Sequence, residues 1–241
     1  MTRPVIYTTI PSCDAALVAE AGRYGIADLH EALGAVVGRQ QLMRPQMRPI
    51  VSGLRVCGQA VTALTYPGDN LMMHKALSLA GAGQVLVVTN GGGSDGALWG
   101  DMAATHARHK GIAGVVMDGP IRDVDALNEM RFPVWATCVS PSHSEKAGPG
   151  AVNVPIVAGG VSVHPGDVIV ADGDGVLAIP LAHLATAVEG ARKRAGGEDA
   201  TRARLAKGEP LFAPEVLAAA LSKIGAVVQE GSWSDHGGNA P

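Results

Sequence analysis

Asp101, Arg122 and Asp123 are the residues whose types and spacing best suit a chemical role, and 20 residues lie between Asp101 and Arg122. Two carboxylates in one site can hold Mg²⁺ or Mn²⁺, because these ions bind through one or two carboxylates and keep several waters. Arginine, with its planar fork of N–H donors, binds a carboxylate or an enolate oxygen at two points. The same residue types allow a second interpretation, in which Asp101 caps a helix and Arg122 pairs with Asp123 in a surface turn.

Two apolar runs, with a helical pattern between them, predict the βαβ unit that would position these three residues. Residues 85–88 and 114–117 have the composition of buried strands, and the helical pattern starts near Gly100. In a βαβ unit with parallel strands, the start of the helix and the end of the second strand lie at the same edge of the sheet. We therefore expect the two carboxylates and the guanidinium to lie close together.

The start of that helix is also a candidate anion site. The N–H groups of Asp101, Met102 and Ala103, directly after Gly100, have no acceptor within the helix and can bind one carboxylate. Arg122 beside them would bind the same group. The pattern therefore favours a small carboxylic acid as the ligand.

The loop before the helix allows a competing interpretation as a dinucleotide site. Residues 91–96 fit the pattern G-x-G-x-x-G after a strand, and Asp118 follows at about the spacing that such a site requires. However, the helical pattern begins only near Gly100, and Asp101 would place a negative charge where a pyrophosphate should dock. The small-anion site is favoured over the nicotinamide site for these two reasons.

Composition and charge limit the class of protein. Apolar residues make up 47% of the 241 residues but aromatic residues only 3%, so the core must consist of Ala, Val, Leu and Ile, which suits an α/β fold. The net charge is −3 and no basic stripe is present, which argues against nucleic acid as a partner. The three cysteines are far apart, and no apolar run resembles a membrane span or a signal peptide. We expect a cytoplasmic protein that does not contact a membrane.

The rest of the chain contains no internal repeat in its sequence, and its patterns predict two loops, a hairpin and two helices. Residues 35–50 have no clear period and predict a loop, and residues 140–150 predict a mobile or surface loop. Residues 168–179 contain two apolar runs around Asp-Gly-Asp-Gly, which is typical of a β-hairpin. Residues 181–207 and 214–224 have helical patterns.

The spacing Asp101, twenty residues, Arg122-Asp123 resembles the D-x20-R-D signature of the RraA-like family. The segments ADLHEALG, PGDNLMMHKAL, GIAGVVMDGPIRDVDAL and VHPGDVIVADGDGVLAIP support this resemblance, which covers roughly residues 15–210. The resemblance implies an α/β fold of the swivelling β/β/α type over residues 1–210, followed by a C-terminal helical extension, residues 211–241. It also implies homotrimers or homohexamers whose active sites lie at subunit interfaces.

The family includes metal-dependent pyruvate aldolases, and the resemblance assigns roles to single residues of this chain. Asp123 would bind Mg²⁺ or Mn²⁺ directly, and Asp101 would hold metal-bound waters. Glu198 from a neighbouring subunit would also contact these waters, although Asp199 and Glu209 compete for this role. Arg122 and the main chain from Gly100 to Ala103 would bind the pyruvyl part of an oxo-acid substrate.

Glu31 and His74 match positions that line the substrate end in the aldolases, although His74 also suits a helix residue with a local partner. The implied activity is a class II retro-aldol cleavage of a 4-hydroxy-2-oxo acid, together with decarboxylation of oxaloacetate. The central motif contains only Lys110, at the far end of its helix, which argues against a Schiff-base aldolase. The alternative is a regulator of ribonuclease E without catalysis, since some members of the family have that role.

Overall fold

A computed structural model describes residues 3–93 and 95–236, apart from the side chains of Glu198, Ser234 and His236. The chain divides into two compact units, Met1–Ala195 and Gly196–Pro241. The first unit contains the sheet and the candidate site. The extent of the family domain, to residue 210, stays a prediction. No helix in the described part of the chain is long and apolar enough to cross a membrane.

The strands in chain order are β1 (Val5–Ile6), β2 (Arg48–Pro49), β3 (Val56–Leu64), β4 (Val85–Thr89), β5 (Gly114–Ile121), β6 (Val134–Val139), β7 (Ala151–Val152), β8 (Ile156–Ala158), β9 (Val161–Val163), β10 (Val168–Ala171) and β11 (Val176–Ile179). The helices are α1 (Ala15–Ala21), α2 (Ile26–Ala32), α3 (Gly34–Gln41), α4 (Leu71–Leu79), α5 (Asp101–His109), α6 (Val124–Met130), α7 (Leu184–Leu205) and α8 (Pro214–Lys223). Short 3-10 helices cover Leu181–His183 and Trp233–His236.

Four parallel strands, in the order β3, β4, β5, β6, form the part of the sheet that positions the site. The edges are antiparallel, because β2 pairs with β6, and both β7 and β10 pair with β3. The predicted βαβ unit is present as β4, α5 and β5, and it is confirmed. A parallel pair needs a crossover between its strands, and α5 supplies it here.

Both faces of the parallel sheet are covered, which explains its unbroken apolar runs. Leu86 and Val88 of β4 pack on the side of α4, α5 and α6, whereas Val85 and Val87 pack against β8 to β11. Successive side chains of a strand point to opposite faces, so a strand buried on both sides has no polar alternation.

The hairpin of β10 and β11 forms a second layer between the sheet and another set of helices. Its residues Ile169 and Ala178 face the sheet, and its residues Val170 and Leu177 face α1, α2 and the start of α7. The first unit thus has layers of helix, sheet, sheet and helix. The predicted hairpin is confirmed by the antiparallel pairing of β10 with β11.

The predicted loop at residues 35–50 is wrong, because the structure has α3 and β2 there. The helix is stabilised by tertiary packing that its sequence pattern does not show. Gly38 of α3 lies so close to the main-chain oxygen of His30 that a Cβ atom at this position would overlap it. Burial of the contact between α2 and α3 therefore overrides a sequence with weak helical periodicity.

Candidate functional site

Main-chain pairing between the loop before α5 and the end of β5 brings the three signature residues together. Leu98 N donates to the Pro120 oxygen over 2.7 Å, and Arg122 N donates to the Trp99 oxygen over 3.0 Å. As a result, Asp101 N lies 3.2 Å from Asp123 Oδ2 and donates a hydrogen bond to it. The predicted convergence of the residues is confirmed.

Gly100 and Asp123 have backbone features that this close approach requires. A Cβ atom at Gly100 would overlap Asp123 Oδ2 and would lie 3.3 Å from Arg122 Cγ. Asp123 itself has φ 59° and ψ 39°, in the left-handed region that is rare for residues other than glycine. Such a conformation persists where the surroundings impose it, and it is common at functional sites.

A cavity of about 280 Å³ opens where α5 begins. One part of its lining comes from the βαβ unit, and it contains every residue that is predicted to bind the pyruvyl part of the substrate. These residues are Gly100, Asp101, Met102, Ala103 and Arg122, with Asp123 beside them.

The rest of the lining comes from the start of α4 and from the segment 142–148. Asn70, directly before α4, lines the cavity together with Met73 and His74 of α4. His143 and Lys146 line it from the segment. The structure thus places the predicted residue His74 in the same cavity as the signature residues.

The segment 142–148 lies at the surface, as predicted, but hydrogen bonds to buried groups hold it in place. Asp69, which is 2% exposed, accepts hydrogen bonds through Oδ2 from Ala147 N at 2.6 Å and Gly148 N at 2.7 Å. Its Oδ1 accepts from Leu71 N at 2.7 Å, at the start of α4. Ser144 Oγ donates to the Ala97 oxygen over 2.7 Å. One buried carboxylate therefore joins this segment to α4.

Charged groups of both signs meet in this cavity. Arg122 Nε lies 3.4 Å from Asp123 Oδ2, and both side chains are partly exposed. Burial lowers the pKa of His74, the positive charge of Lys146 lowers it further, and Asp69 opposes both effects. The His74 imidazole is therefore neutral at pH 7 and can accept a proton.

The dinucleotide interpretation does not fit this geometry. Asp118 Oδ2, the acidic group that such a site would need, accepts hydrogen bonds from Gly159 N at 3.0 Å and Thr89 Oγ1 at 3.3 Å. The α5 helix begins at Asp101, after the glycine pattern has ended, so none of those glycines lies at the helix N-terminus. Ser94 of that loop lies outside the described residues.

A sequence model with the description "RraA-like: Aldolase/RraA" matches residues 26–178. The chain belongs to the RraA-like family. Proteins provisionally named 4-hydroxy-4-methyl-2-oxoglutarate aldolase are similar to it. One from Halalkalibacterium halodurans is 38% identical over 154 residues, 64% of this chain and 73% of that protein. Another from Burkholderia mallei is 39% identical over 152 residues, 63% of this chain and 91% of that protein.

Solved structures of the RraA-like family have the same fold. The chain matches Streptomyces coelicolor RraAS2, described as an unusual member of the RNase ES inhibitor RraA protein family, with a TM-score of 0.71 and 30% identity. The match covers 80% of this chain and 98% of that one. A protein from Pseudomonas syringae pv. tomato matches with a TM-score of 0.73 and 28% identity, over 85% of this chain and 98% of that one. The predicted fold class is confirmed.

Glu31 and Glu198 are the two residues that the RraA-like resemblance adds to the site, and only Glu31 has a described side chain. Glu31 lies on α2, where its Oε2 is 2.7 Å from Arg194 Nη2, and it is not among the residues that line the cavity. Glu198 belongs to α7, and its side chain lies outside the described residues. Their catalytic roles stay predictions.

Asp101 and Asp123 are the residues of this RraA-like chain that could hold a metal ion at the cavity. The described residues contain no group of three or more His, Cys, Asp or Glu side chains suited to a metal. Two carboxylates in one cavity are nevertheless enough for Mg²⁺ or Mn²⁺, since these ions keep several waters and use substrate oxygens as ligands. The donor set therefore fits a hard divalent cation.

Asn70, His143 and Lys146 line the cavity but are not predicted from the sequence as residues of the site. The turn Pro67-Gly68-Asp69 and the polar segment 140–150 are visible in the sequence, but nothing in either shows that they meet. Lys146, which lies outside the central motif, also lines the cavity, so the absence of a suitable lysine from that motif does not exclude a Schiff base here.

Proposed function

We propose that this protein is a divalent-metal-dependent pyruvate aldolase. It would cleave a 4-hydroxy-2-oxo acid, such as 4-carboxy-4-hydroxy-2-oxoadipate or 4-hydroxy-4-methyl-2-oxoglutarate, to pyruvate and a second oxo acid. The observation that supports this most is the meeting of Asp101, Arg122 and Asp123 in one cavity at the N-terminus of α5. The provisional aldolase names of its relatives agree with this proposal.

The pyruvyl end of the substrate would bind at the start of α5. The N–H group of Ala103 and the guanidinium of Arg122 are donors for its carboxylate and its 2-keto oxygen. The N–H group of Met102, which the sequence predicts as a further donor, instead donates to Asp101 Oδ1 over 2.6 Å. Asp123 limits the positions of the guanidinium, because its Oδ2 lies 3.4 Å from Arg122 Nε.

Cleavage breaks the C3–C4 bond after the C4 hydroxyl loses its proton. Asp101 would accept that proton through a water at its carboxylate, and the electrons of the broken bond would move to the 2-keto oxygen. Arg122 stabilises the negative charge that develops on this pyruvate enolate, where preorganised donors contribute most. A proton then adds to C3 to give pyruvate, and C4 becomes the carbonyl carbon of the second product. Glu31 and His74 are proposed to act at the C4 end.

Mg²⁺ or Mn²⁺, bound directly by Asp123 and through water by Asp101 and the partner subunit's Glu198, would supply Lewis-acid polarisation of the 2-keto oxygen. Loss of CO₂ from oxaloacetate passes through the same enolate, so we also propose oxaloacetate decarboxylase activity.

We propose a homotrimer or a homohexamer with the site at a subunit interface. Met102 is 78% exposed and Val139 56% exposed, and both are apolar residues beside Asp123. Light scattering of the purified protein would determine the number of subunits. A monomer that turns over substrate at the full rate would contradict an interface site.

The deciding experiment measures pyruvate release from oxaloacetate and from 4-hydroxy-4-methyl-2-oxoglutarate with Mg²⁺, with and without EDTA, against a protein-free control. We expect turnover that EDTA abolishes and that Mg²⁺ or Mn²⁺ restores. The similarity to the RNase ES inhibitor family favours a second candidate, a protein-binding regulator of ribonuclease E. Absence of metal-dependent turnover, together with retention of ribonuclease E in a pull-down, would favour that candidate.

A further inference from the structure

Asp69 is a buried carboxylate that lies behind the cavity and does not line it. Among the described residues, no Lys, Arg or His nitrogen lies within 4.0 Å of its oxygens. The hydrogen bonds that it accepts come from the main-chain N–H groups of Leu71, Ala147 and Gly148. Burying a carboxylate without a cation is costly. Joining two loops does not by itself explain a charged group at this position.

Two of the three donors are next to residues that line the cavity. Leu71 follows Asn70, and Ala147 follows Lys146. The carboxylate thus lies between the start of α4 and the segment 142–148, with one oxygen bound to each. Any displacement of Asp69 would therefore move two parts of the cavity lining relative to each other.

The other end of the segment 142–148 is bound to the loop before α5. Ala97 N donates to the Ser142 oxygen over 3.0 Å, and Ser144 Oγ donates to the Ala97 oxygen over 2.7 Å. The segment thus connects the βαβ unit to α4, through neutral groups at the first end and through the Asp69 carboxylate at the second. Ser144 and Asp69 hold the same segment, but only Asp69 carries a charge.

The charge of Asp69 also acts on His74, which lies one turn into α4. Burial lowers the pKa of His74 most, Lys146 lowers it further, and Asp69 raises it. The other charged or titratable groups that line this cavity are Asp101, Arg122, Asp123, His143 and Lys146.

We propose that Asp69 is a positioning residue for the reaction, because it holds α4 and the segment 142–148 together and thereby fixes His74 and Lys146 around one cavity. This inference rests on the proposed function, and it adds to it a residue that lies outside both the D-x20-R-D signature and the cavity lining. Because the anchoring is present without a ligand, the cavity is ordered before the substrate binds.

The test is Asp69→Asn, which keeps the shape of the side chain, removes its charge and leaves one acceptor oxygen in place of two. We expect kcat/KM for metal-dependent pyruvate release to fall about 10- to 100-fold, as for catalytic groups that are displaced by a fraction of an ångström to 1 Å. Asp167→Asn is the matched control. Asp167 is 4% exposed and accepts from His164 N over 2.8 Å, but it belongs to the turn between β9 and β10 and does not line the cavity. This variant should keep the wild-type kcat/KM even if its Tm falls.

The pH profile separates positioning from a purely structural role. Asp69→Asn removes the group that raises the pKa of His74, so the acid limb of kcat/KM should move to lower pH. Ser144→Ala loosens the same segment without changing a charge. It should lower kcat/KM by about 2- to 10-fold, as for the loss of one neutral hydrogen bond, and leave the acid limb where it is in the wild type.

The outcomes distinguish this inference from the proposed function. If Asp69→Asn matches Asp167→Asn in kcat/KM and its acid limb does not move, Asp69 is a structural residue and this inference alone is overturned. Should Asp69→Asn fail to fold, Ser144→Ala decides, since a wild-type kcat/KM in that variant would show that the position of the segment does not matter. Wild-type protein that releases no pyruvate would overturn the proposed function and this inference with it.

Discussion

Replacing Gly100 by alanine is the sharpest perturbation of the site, because it adds one carbon atom where the structure has no room for it. The backbone at Gly100 is extended, with φ −164°, so alanine causes no backbone strain. The added Cβ would overlap Asp123 Oδ2 and would lie 3.4 Å from Arg122 Nε. The carboxylate must therefore move away, and its hydrogen bond from Asp101 N must lengthen.

The size of the effect follows from this displacement. A catalytic group that is misplaced by about 1 Å can cost about 10²-fold in rate, so we expect kcat/KM for the Mg²⁺-dependent reaction to fall about 100-fold. The steric cost to the fold is about 1–3 kcal/mol, the usual range for one added methyl group in a packed site. For a chain of this size, each kcal/mol lowers Tm by about 2–4 °C.

The assay measures pyruvate release at several Mg²⁺ concentrations, alongside thermal unfolding, for Gly100→Ala and for Gly173→Ala. At Gly173, in the turn between β10 and β11, a Cβ atom would meet no heavy atom within 4 Å, and this variant should behave as wild type. If Gly100→Ala keeps the wild-type kcat/KM and the wild-type Mg²⁺ dependence, the reasoning about Asp123 is refuted.

Further predictions concern the other residues of the site. Arg122→Lys should lose most of kcat/KM in the pyruvate assay, about 100-fold, since a point charge cannot replace two N–H donors in a fork; equal rates would contradict this. Asp123→Ala should abolish metal-dependent turnover while its circular dichroism stays that of wild type, and normal turnover would remove Asp123 from the metal. Glu198→Ala should lower kcat/KM if its side chain completes the site of a neighbouring subunit, and full activity would show the assignment to be wrong. Because burial and then Lys146 lower the pKa of His74 from its ordinary value of 6.5, its imidazole becomes protonated only below pH 6.5. The acid limb of kcat/KM should therefore lie below pH 6.5 and should move upward in Lys146→Met, whereas an unmoved limb would remove His74 from the titration.

The buried strand β4 and the meeting of Asp101 with Asp123 could be predicted, because both follow from patterns within one continuous stretch of sequence. Residues 85–88 are apolar without interruption, which predicts a strand buried on both faces, and β4 packs on both faces as expected. The geometry of a βαβ unit then brings the start of its helix to the end of its second strand. Asp101 and Asp123 meet for this reason, although 21 residues separate them.

Other features depend on contacts between segments whose sequences show no trace of each other. The close contact of Gly38 in α3 with His30 in α2 stabilises α3, and the weak helical periodicity of residues 34–41 does not show this contact. Lys146 likewise becomes part of the site only because Asp69, in another loop, accepts two N–H groups beyond it. Glu31 is the opposite case: it matches the family pattern in sequence, but in the structure it pairs with Arg194 and does not line this cavity.

The sequence by itself determined the α/β class, the βαβ unit and the meeting of two carboxylates with a guanidinium, because strand burial and helix direction follow from short-range pattern and chain connectivity. Only the tertiary structure decided which residues complete the cavity, because Asn70, His143 and Lys146 reach it through hydrogen bonds between distant loops. The physical reason is that periodicity specifies the face on which a side chain lies, whereas the neighbour across a cavity depends on how whole elements pack.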